Sequence, residues 1–367
     1  MADAEIIPID QNKRTAKRST AAQPERCSAT TAAGKRCRNK AVRGTGYCGV
    51  HATAAGSRDR HPSSARGSDA TSRRSNPLLV AAPDADAPAR EERSSKGLED
   101  FIMRRLSGDY PIDDFGYDEE LTKEILMPLV RPLYERYFRV RALGIDRIPS
   151  EGAALLVANH SGTIPLDAVM MQFAVGSEHP EKRLVRAVGA DLVWRLPVIG
   201  PMARKTGNVV ACDEDAFELL RRGELVGVFP EGYKGVGKGW RERYKLQRFG
   251  RGGFIETALR TGTPIIPVAI VGAEEAYPMV ANAKTLAKAL GFPYFPITLQ
   301  FPLLGPLGLL PLPSRWIIEF GEPIPMDGYD KDAADDAMLV FDLSDRIRDT
   351  IQQMLYKNLG TRGGVFF

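Results

Sequence analysis

The stretch Leu155-Leu156-Val157-Ala158-Asn159-His160-Ser161-Gly162-Thr163-Ile164-Pro165-Leu166-Asp167 decides how the rest of the chain is read. Its short apolar run predicts a buried strand. The strand ends in Asn159 and His160, the chain crosses Ser161-Gly162 and Pro165, and it reaches Asp167, an acid suited to open the next helix. His160 and Asp167 therefore belong to one strand-to-helix corner. In open α/β sheets ligands bind beyond the carboxyl ends of the strands, where a His–carboxylate pair can serve as general base and orienter. The same residues also fit a plain turn histidine and a helix N-cap, and a capping Asp167 would tolerate asparagine at little cost.

Outward from this corner the pattern alternates. On the carboxyl side it predicts a helix over 168–175, a strand over 184–188, a helix near 191–202, a short strand over 208–211, a helix over 213–222 ended by Gly223, and a strand over 225–229. A helix over 252–260 and the apolar strand Ile265-Ile266-Pro267-Val268-Ala269-Ile270-Val271-Gly272 follow. A helix over 281–290, a strand over 316–320 and an amphipathic helix over 339–359 complete the chain. On the amino side the pattern is helical between 97 and 140, with Leu121, Ile125, Leu129 and Leu133 every fourth residue. Pro128 and Pro132 should kink or interrupt that helix. A strand over 139–144 precedes the quoted one. Strands alternating with helices predict an α/β fold, a central, mainly parallel sheet flanked by helices.

The 367 residues, 43% apolar and 26% charged, suit one soluble folded domain with appendages. Four Cys in this length do not make a disulfide scaffold, and MADAEIIPID lacks the features of a signal peptide, so a cytoplasmic protein is expected. No uninterrupted apolar run reaches the length of a transmembrane helix. Residues 296–313 are apolar but carry five Pro and two Gly, too irregular to cross a bilayer as a helix. They either loop over the sheet or dip into a membrane interface.

Charge is unevenly placed. Residues 1–75 carry 15 Lys and Arg against 6 Asp and Glu, leaving 35 against 40 for the remainder. Residues 1–95 lack apolar periodicity and read as a largely disordered basic tail. Within it Cys27, Cys37, Cys48 and His51 supply three thiolates and an imidazole, the donor set of a closed structural zinc site; unligated thiols are the plainer alternative. Lys35, Arg36, Arg38, Lys40 and Arg43 lie among them, suited to anionic lipid or nucleic acid, or simply solvated. The expected organisation is the tail with its zinc motif (27–51), a helical lead-in over 96–138, the α/β domain over 139–325 and a C-terminal helical segment over 326–367.

A second polar feature follows the strand over 225–229, in Pro230-Glu231-Gly232-Tyr233-Lys234-Gly235-Val236-Gly237-Lys238-Gly239. Gly232, Gly237 and Lys238 match a phosphate-binding P-loop, but Gly239 stands where Ser or Thr must hold magnesium, so a nucleotide hydrolase is disfavoured. There is no Gly-x-Ser-x-Gly elbow, and Ser161 directly after His160 is poor triad geometry, which argues against an esterase. His179, beside Pro180 in a polar turn, is expected to tolerate replacement.

With Asn159-His160 and Asp167, then Phe229-Pro230-Glu231-Gly232, then Ile266-Pro267-Val268 in this order, residues 139–322 resemble the glycerolipid (lysophospholipid) acyltransferases. The resemblance implies that His160 is the base that deprotonates an acceptor hydroxyl and Asp167 its orienter. It also implies an acyl thioester of coenzyme A or acyl carrier protein as donor, and an acceptor site that includes Glu231 and Gly232. Asn159, Ser161, Gly162, Lys234 and Lys238 join the candidate substrate-binding residues. Ser161, Gly162 or the glycine-rich loop would supply oxyanion donors, and Lys234, Lys238, Arg243, Lys245, Arg248 and Arg251 would face the donor phosphates. A thioester needs no metal. Two departures stand out. The family leaves four residues between His and Asp, where this chain has the six from Ser161 to Leu166, so either a longer turn still brings Asp167 to His160 or another group orients the base. The family's second motif commonly ends in a phosphate-binding Arg, whereas Gly207-Asn208-Val209-Val210-Ala211-Cys212-Asp213 ends in an acid. A neutral acceptor such as diacylglycerol or a long-chain alcohol thereby becomes credible beside a lysophospholipid. The expectation is a peripheral enzyme on the inner face of the membrane; the alternative is an inactive acyltransferase-like binding protein recruited through its zinc-bearing basic tail.

Overall fold

Nine strands run through the computed structural model, which describes residues 90–250 and 252–366. They are β1 (Arg141–Leu143), β2 (Ala154–Ala158), β3 (Val185–Gly189), β4 (Val209–Val210), β5 (Leu225–Val228), β6 (Ile265–Val271), β7 (Met279–Asn282), β8 (Pro296–Thr298) and β9 (Ile317–Phe320). The longer helices are α1 (Arg90–Ser107), α2 (Leu166–Glu178), α3 (Asp213–Arg221), α4 (Gly253–Thr261), α5 (Lys284–Leu290) and α6 (Ala337–Thr361). Seven strands form the central sheet in the order β1-β9-β6-β2-β5-β3-β4, and β7 pairs with β8 apart from it. Every neighbouring pair in the large sheet is parallel except β6 with β9. The mainly parallel α/β architecture is thus the one the alternating pattern predicts.

The sheet is buried on both faces, as period-two side chains demand. Leu155 and Val157 of β2 and Ile265, Ala269 and Val271 of β6 point into one core, closed by Leu219 of α3, Ile255 and Leu259 of α4, and Ile347, Ile351 and Leu355 of α6. Leu156, Ala158, Ile266, Val268 and Ile270 point the other way, against Met170, Met171 and Phe173 of α2 and the buried Tyr134, Phe138 and Trp316. The helical lead-in and α6 therefore complete the cores of the sheet.

Several local expectations are corrected. The helix over 281–290 gives up its first turn to β7, whose Asn282 side chain accepts from Phe295 N at 3.1 Å, so pairing with β8 overrides helical periodicity. The helix near 191–202 is two, Asp191–Arg195 and Ile199–Lys205, parted at Pro197 and at Val198, whose φ is +66°. Pro128 and Pro132 do not interrupt the lead-in. Residues 119–137 stay helical through two wide π-turns, Thr122–Leu126 and Leu133–Tyr137, in which Met127 N donates to Thr122 O and Phe138 N to Leu133 O. Shifting the hydrogen-bond register by one residue accommodates the missing proline donors. His179 is 2% exposed; its ring meets Ile148 O at 3.1 Å and Glu181 N at 3.2 Å, so it fastens a turn rather than decorating it. Among the described residues no helix is long and apolar enough to cross a membrane. Cys27, Cys37, Cys48 and His51 lie outside the described residues, as does Arg251.

Position in the sheet creates the site. β2 lies between β5 and β6 and parallel to both, so the residues that follow these three strands, His160, Glu231 and Glu274, emerge at one edge. That edge is the carboxyl-end crevice where α/β sheets bind ligands.

Candidate active site

His160 leaves β2 with its ring against Phe229, 4.7 Å between centroids, and Nδ1 lies 2.7 Å from Asp167 Oδ2. The longer turn is therefore the one adopted. Gly162, at φ +80°, lets residues 161–166 loop outward while Asp167, in the first turn of α2, comes back beneath the imidazole. Asp167 is completely buried and does not cap the helix: the N-cap is Pro165, without a side-chain bond. Its Oδ2 also accepts from Ser161 N at 2.8 Å, and Oδ1 accepts from Ala168 N at 2.9 Å. The imidazole is 16% exposed, and its Nε2 has no hydrogen-bond partner among the described residues. A histidine bound through Nδ1 to a carboxylate and open at Nε2 has the arrangement of an oriented base.

Most of the other candidate residues make internal contacts that hold this pair in place. Asn159 is fully buried; its Nδ2 donates to Ile270 O at 3.0 Å and its Oδ1 accepts from Ile270 N at 2.7 Å, which fastens the end of β2 to β6. Glu231 is also buried. Its Oε1 accepts from His160 N at 2.9 Å and its Oε2 from Gln247 N at 2.6 Å, so this carboxylate clamps the base's own backbone. Lys238, offered above to donor phosphates or a P-loop, is turned inward with its side chain 3% exposed, 3.4 Å from Glu231 and 3.0 Å from Glu274. Ser161 is buried with its N–H given to Asp167, which leaves the Gly162 N–H, without an acceptor among the described residues, as the freer oxyanion donor of the two. Gly232 turns the chain after Glu231 at φ +54°. Lys234, Arg243, Lys245 and Arg248 are exposed around this loop and remain available to an anion.

Sequence reasoning missed Gly235, Tyr244, Glu274, Glu275, Tyr294 and Arg362. A Cβ on Gly235 would sit 2.6 Å from His160 O and 2.8 Å from His160 Cβ, so only glycine fits behind the base. Its place in a glycine-rich loop was the available signal. Glu274 accepts from Tyr244 N at 3.1 Å, and Tyr244 OH bonds Glu275, which pairs with Arg362 at 2.7 Å. Tyr294 OH donates to Thr163 O at 2.6 Å, bracing the looped turn; burial and the nearby Asp167 push this phenol up to about 12. Burial alone would lower the Lys238 ammonium, but Glu274 and Glu231 outweigh it and hold it above its ordinary value. One cation serves two carboxylates, and burial pushes the Glu274 carboxyl up to about 7 against the pull of Lys238.

The family model described as "Acyltransferase" matches residues 139–271, the span from β1 through β6 that carries all of these groups except Glu274, Glu275, Tyr294 and Arg362. An uncharacterized protein of Mycobacterium tuberculosis is 53% identical over 267 residues, which span 73% of this chain and 75% of that protein. A Bos taurus protein named "DGAT1/2-independent enzyme synthesizing storage lipids" is 23% identical over 222 residues, 60% of each chain. The crystal structure of the 1-acyl-sn-glycerophosphate acyltransferase PlsC of Thermotoga maritima aligns with a TM-score of 0.44 at 17% identity, covering 73% of this chain and 90% of that one.

Proposed function

Because residues 139–271 match the acyltransferase family model, we propose that this chain moves a fatty acyl group from the thioester of acyl-CoA or acyl carrier protein to a neutral lipid hydroxyl. The observation that carries the reading is the 2.7 Å pair of His160 Nδ1 and the buried Asp167, with Nε2 left without a hydrogen-bond partner among the described residues. A lipid hydroxyl is too weak an acid to attack a thioester unaided at neutral pH. His160 Nε2 accepts its proton as the oxygen bonds to the acyl carbon, while Asp167 holds the Nδ1 proton and offsets the imidazolium charge. A base so placed contributes on the order of 10²–10⁴ in rate. The tetrahedral oxyanion takes the Gly162 N–H; on its collapse the C–S bond breaks and the thiolate recovers the proton from Nε2. Lys234, Arg243, Lys245 and Arg248 attract the donor's phosphates.

Two features favour a neutral acceptor over a phosphate-bearing one. The stretch 207–213 supplies Asp213 to the first turn of α3, where the resemblance led us to look for an arginine. The bovine relative's name refers to storage lipids. The enzyme in this reading works as a peripheral protein on the inner face of the membrane, its tail holding one structural zinc through Cys27, Cys37, Cys48 and His51. The test is to incubate the purified chain with labelled acyl-CoA or acyl carrier protein and diacylglycerol, a long-chain alcohol or lysophosphatidate. Transfer to a neutral alcohol, lost in His160→Ala, is the expected result. Transfer that survives His160→Ala, or occurs to none of the acceptors, overturns the reading.

A further inference from the structure

From Ala276 to Ile318 the chain has no Asp or Glu, and its charged residues are Lys284, Lys288 and Arg315, all exposed. In the same segment Leu299, Leu303, Leu304, Leu307, Leu309 and Leu310 are exposed, Leu303 by 85% and Leu307 by 66%. On α5, only Ala287 is buried, and Leu286 and Leu290 face outward. Soluble proteins seldom leave so many large aliphatic side chains uncovered in one segment.

These leucines stand on an ordered backbone. Thr298 N donates to Phe301 O at 2.9 Å, Leu304 N to Gln300 O at 2.8 Å, Gly305 N to Pro302 O at 2.9 Å, and Gly305–Leu309 is a 3-10 helix. Gly308 is buried against the backbone of Gln300. These bonds pair many of the segment's peptide groups internally, which suits it to the acyl–headgroup boundary rather than to the hydrocarbon interior. The segment also touches the catalytic corner. Tyr294 OH holds Thr163 O, Thr163 Oγ1 reaches Tyr277 O at 3.5 Å, and Tyr277 OH donates to Leu309 O at 2.8 Å.

We propose that residues 284–310 are the bilayer-docking surface of this protein. The leucines of 299–310 enter the acyl–headgroup boundary, Lys284 and Lys288 face anionic headgroups, and Tyr277 and Tyr294 connect the docked segment to the turn that carries Asp167. A chain segment with many exposed aliphatic side chains, two exposed lysines and no carboxylate fits an anionic lipid surface. The connection to catalysis rests on the acyl-transfer reading; the docking surface does not.

The full chain is tested by co-sedimentation with vesicles of phosphatidylcholine and phosphatidylglycerol at about 0.5 M salt, where attraction of the basic tail is screened to a few ångströms. The double variant Leu303→Glu, Leu307→Glu changes only exposed side chains and should keep the parent melting curve. It is expected to lose at least about tenfold in partitioning, with turnover of a water-soluble short-chain alcohol unchanged. A second variant, Lys284→Glu with Lys288→Glu, should weaken binding to anionic vesicles at low salt and leave binding to pure phosphatidylcholine unaltered. Release of the leucine variant from vesicles supports the surface whether or not either protein turns over, so a failure of acyl transfer is read separately. Vesicle binding equal in parent and leucine variant overturns the proposal. So does a parent dimer in sedimentation velocity that the leucine variant dissolves while vesicle binding persists, which would assign this face to a second copy of the chain.

Discussion

Replacing Asp167 by asparagine tests the centre of the site with a change of one atom. Three N–H donors converge on its two buried oxygens: His160 Nδ1 at 2.7 Å and Ser161 N at 2.8 Å on Oδ2, Ala168 N at 2.9 Å on Oδ1. An amide has one oxygen and one donor group. If the oxygen serves His160 and Ser161, the NH2 is driven against the Ala168 N–H. If it serves Ala168, the NH2 meets the Ser161 N–H, and His160 must accept at Nδ1, which moves its proton to Nε2 and removes the free base. Either orientation leaves a buried donor facing a donor, a cost of about 1–3 kcal/mol. The cheap exchange expected of an N-cap therefore does not apply. Denaturant unfolding of Asp167→Asn should show a loss of that size, and turnover with labelled acyl-CoA should fall by about 10²-fold or more. A variant that matches the parent in turnover refutes the orienting role, and one that matches it in stability refutes the donor count.

His160→Ala should lose acyl transfer while folding normally, whereas His179→Ala should keep transfer but lose about 1–3 kcal/mol, because Ile148 O and Glu181 N are left without their partner; rates and unfolding curves on both variants separate the roles. Gly235→Ala must displace His160, whose carbonyl lies 2.6 Å from the new Cβ, and turnover should fall about tenfold or more for a shift of that kind; an unimpaired enzyme would show the contact to be slack. Glu274 binds its proton more tightly folded, near pH 7, than unfolded, near 4.5, so the parent loses stability as pH rises through that window. Glu274→Gln should therefore gain on the parent as pH rises through that window, and a difference independent of pH across denaturant curves would dismiss the titration.

What the sequence made legible was periodicity and adjacency. The strands through Leu155, Leu225 and Ile265 and the corner joining His160 to Asp167 are local patterns, and they stand where the pattern put them. Resemblance placed Glu231 near the site, and the need for phosphate-binding cations placed Lys238 there, but their inward direction is not legible, because a polar residue in a glycine-rich loop looks the same whether it faces outward or inward. Their partners, the His160 and Gln247 N–H groups and Glu274, come from other loops, and nothing in the spacing reveals them. Likewise the last two residues of β7 read as helix since its pairing with β8 is not visible in the local apolar pattern, and Tyr244, Glu275 and Arg362 meet only after the carboxyl-terminal helix has folded back.

The Glu231 clamp divides fixed machinery from adjustable machinery. One carboxylate fastens the backbone of His160 and that of Gln247, which lies sixteen residues beyond Glu231 itself. The loop in between, with exposed Lys234, Arg243 and Lys245 at its surface, is thus a handle pinned at both ends. On the proposed acyl-transfer reading, its outer residues can be exchanged to suit a different donor while the base keeps its position, so substrate range can change in this scaffold without altering the reaction.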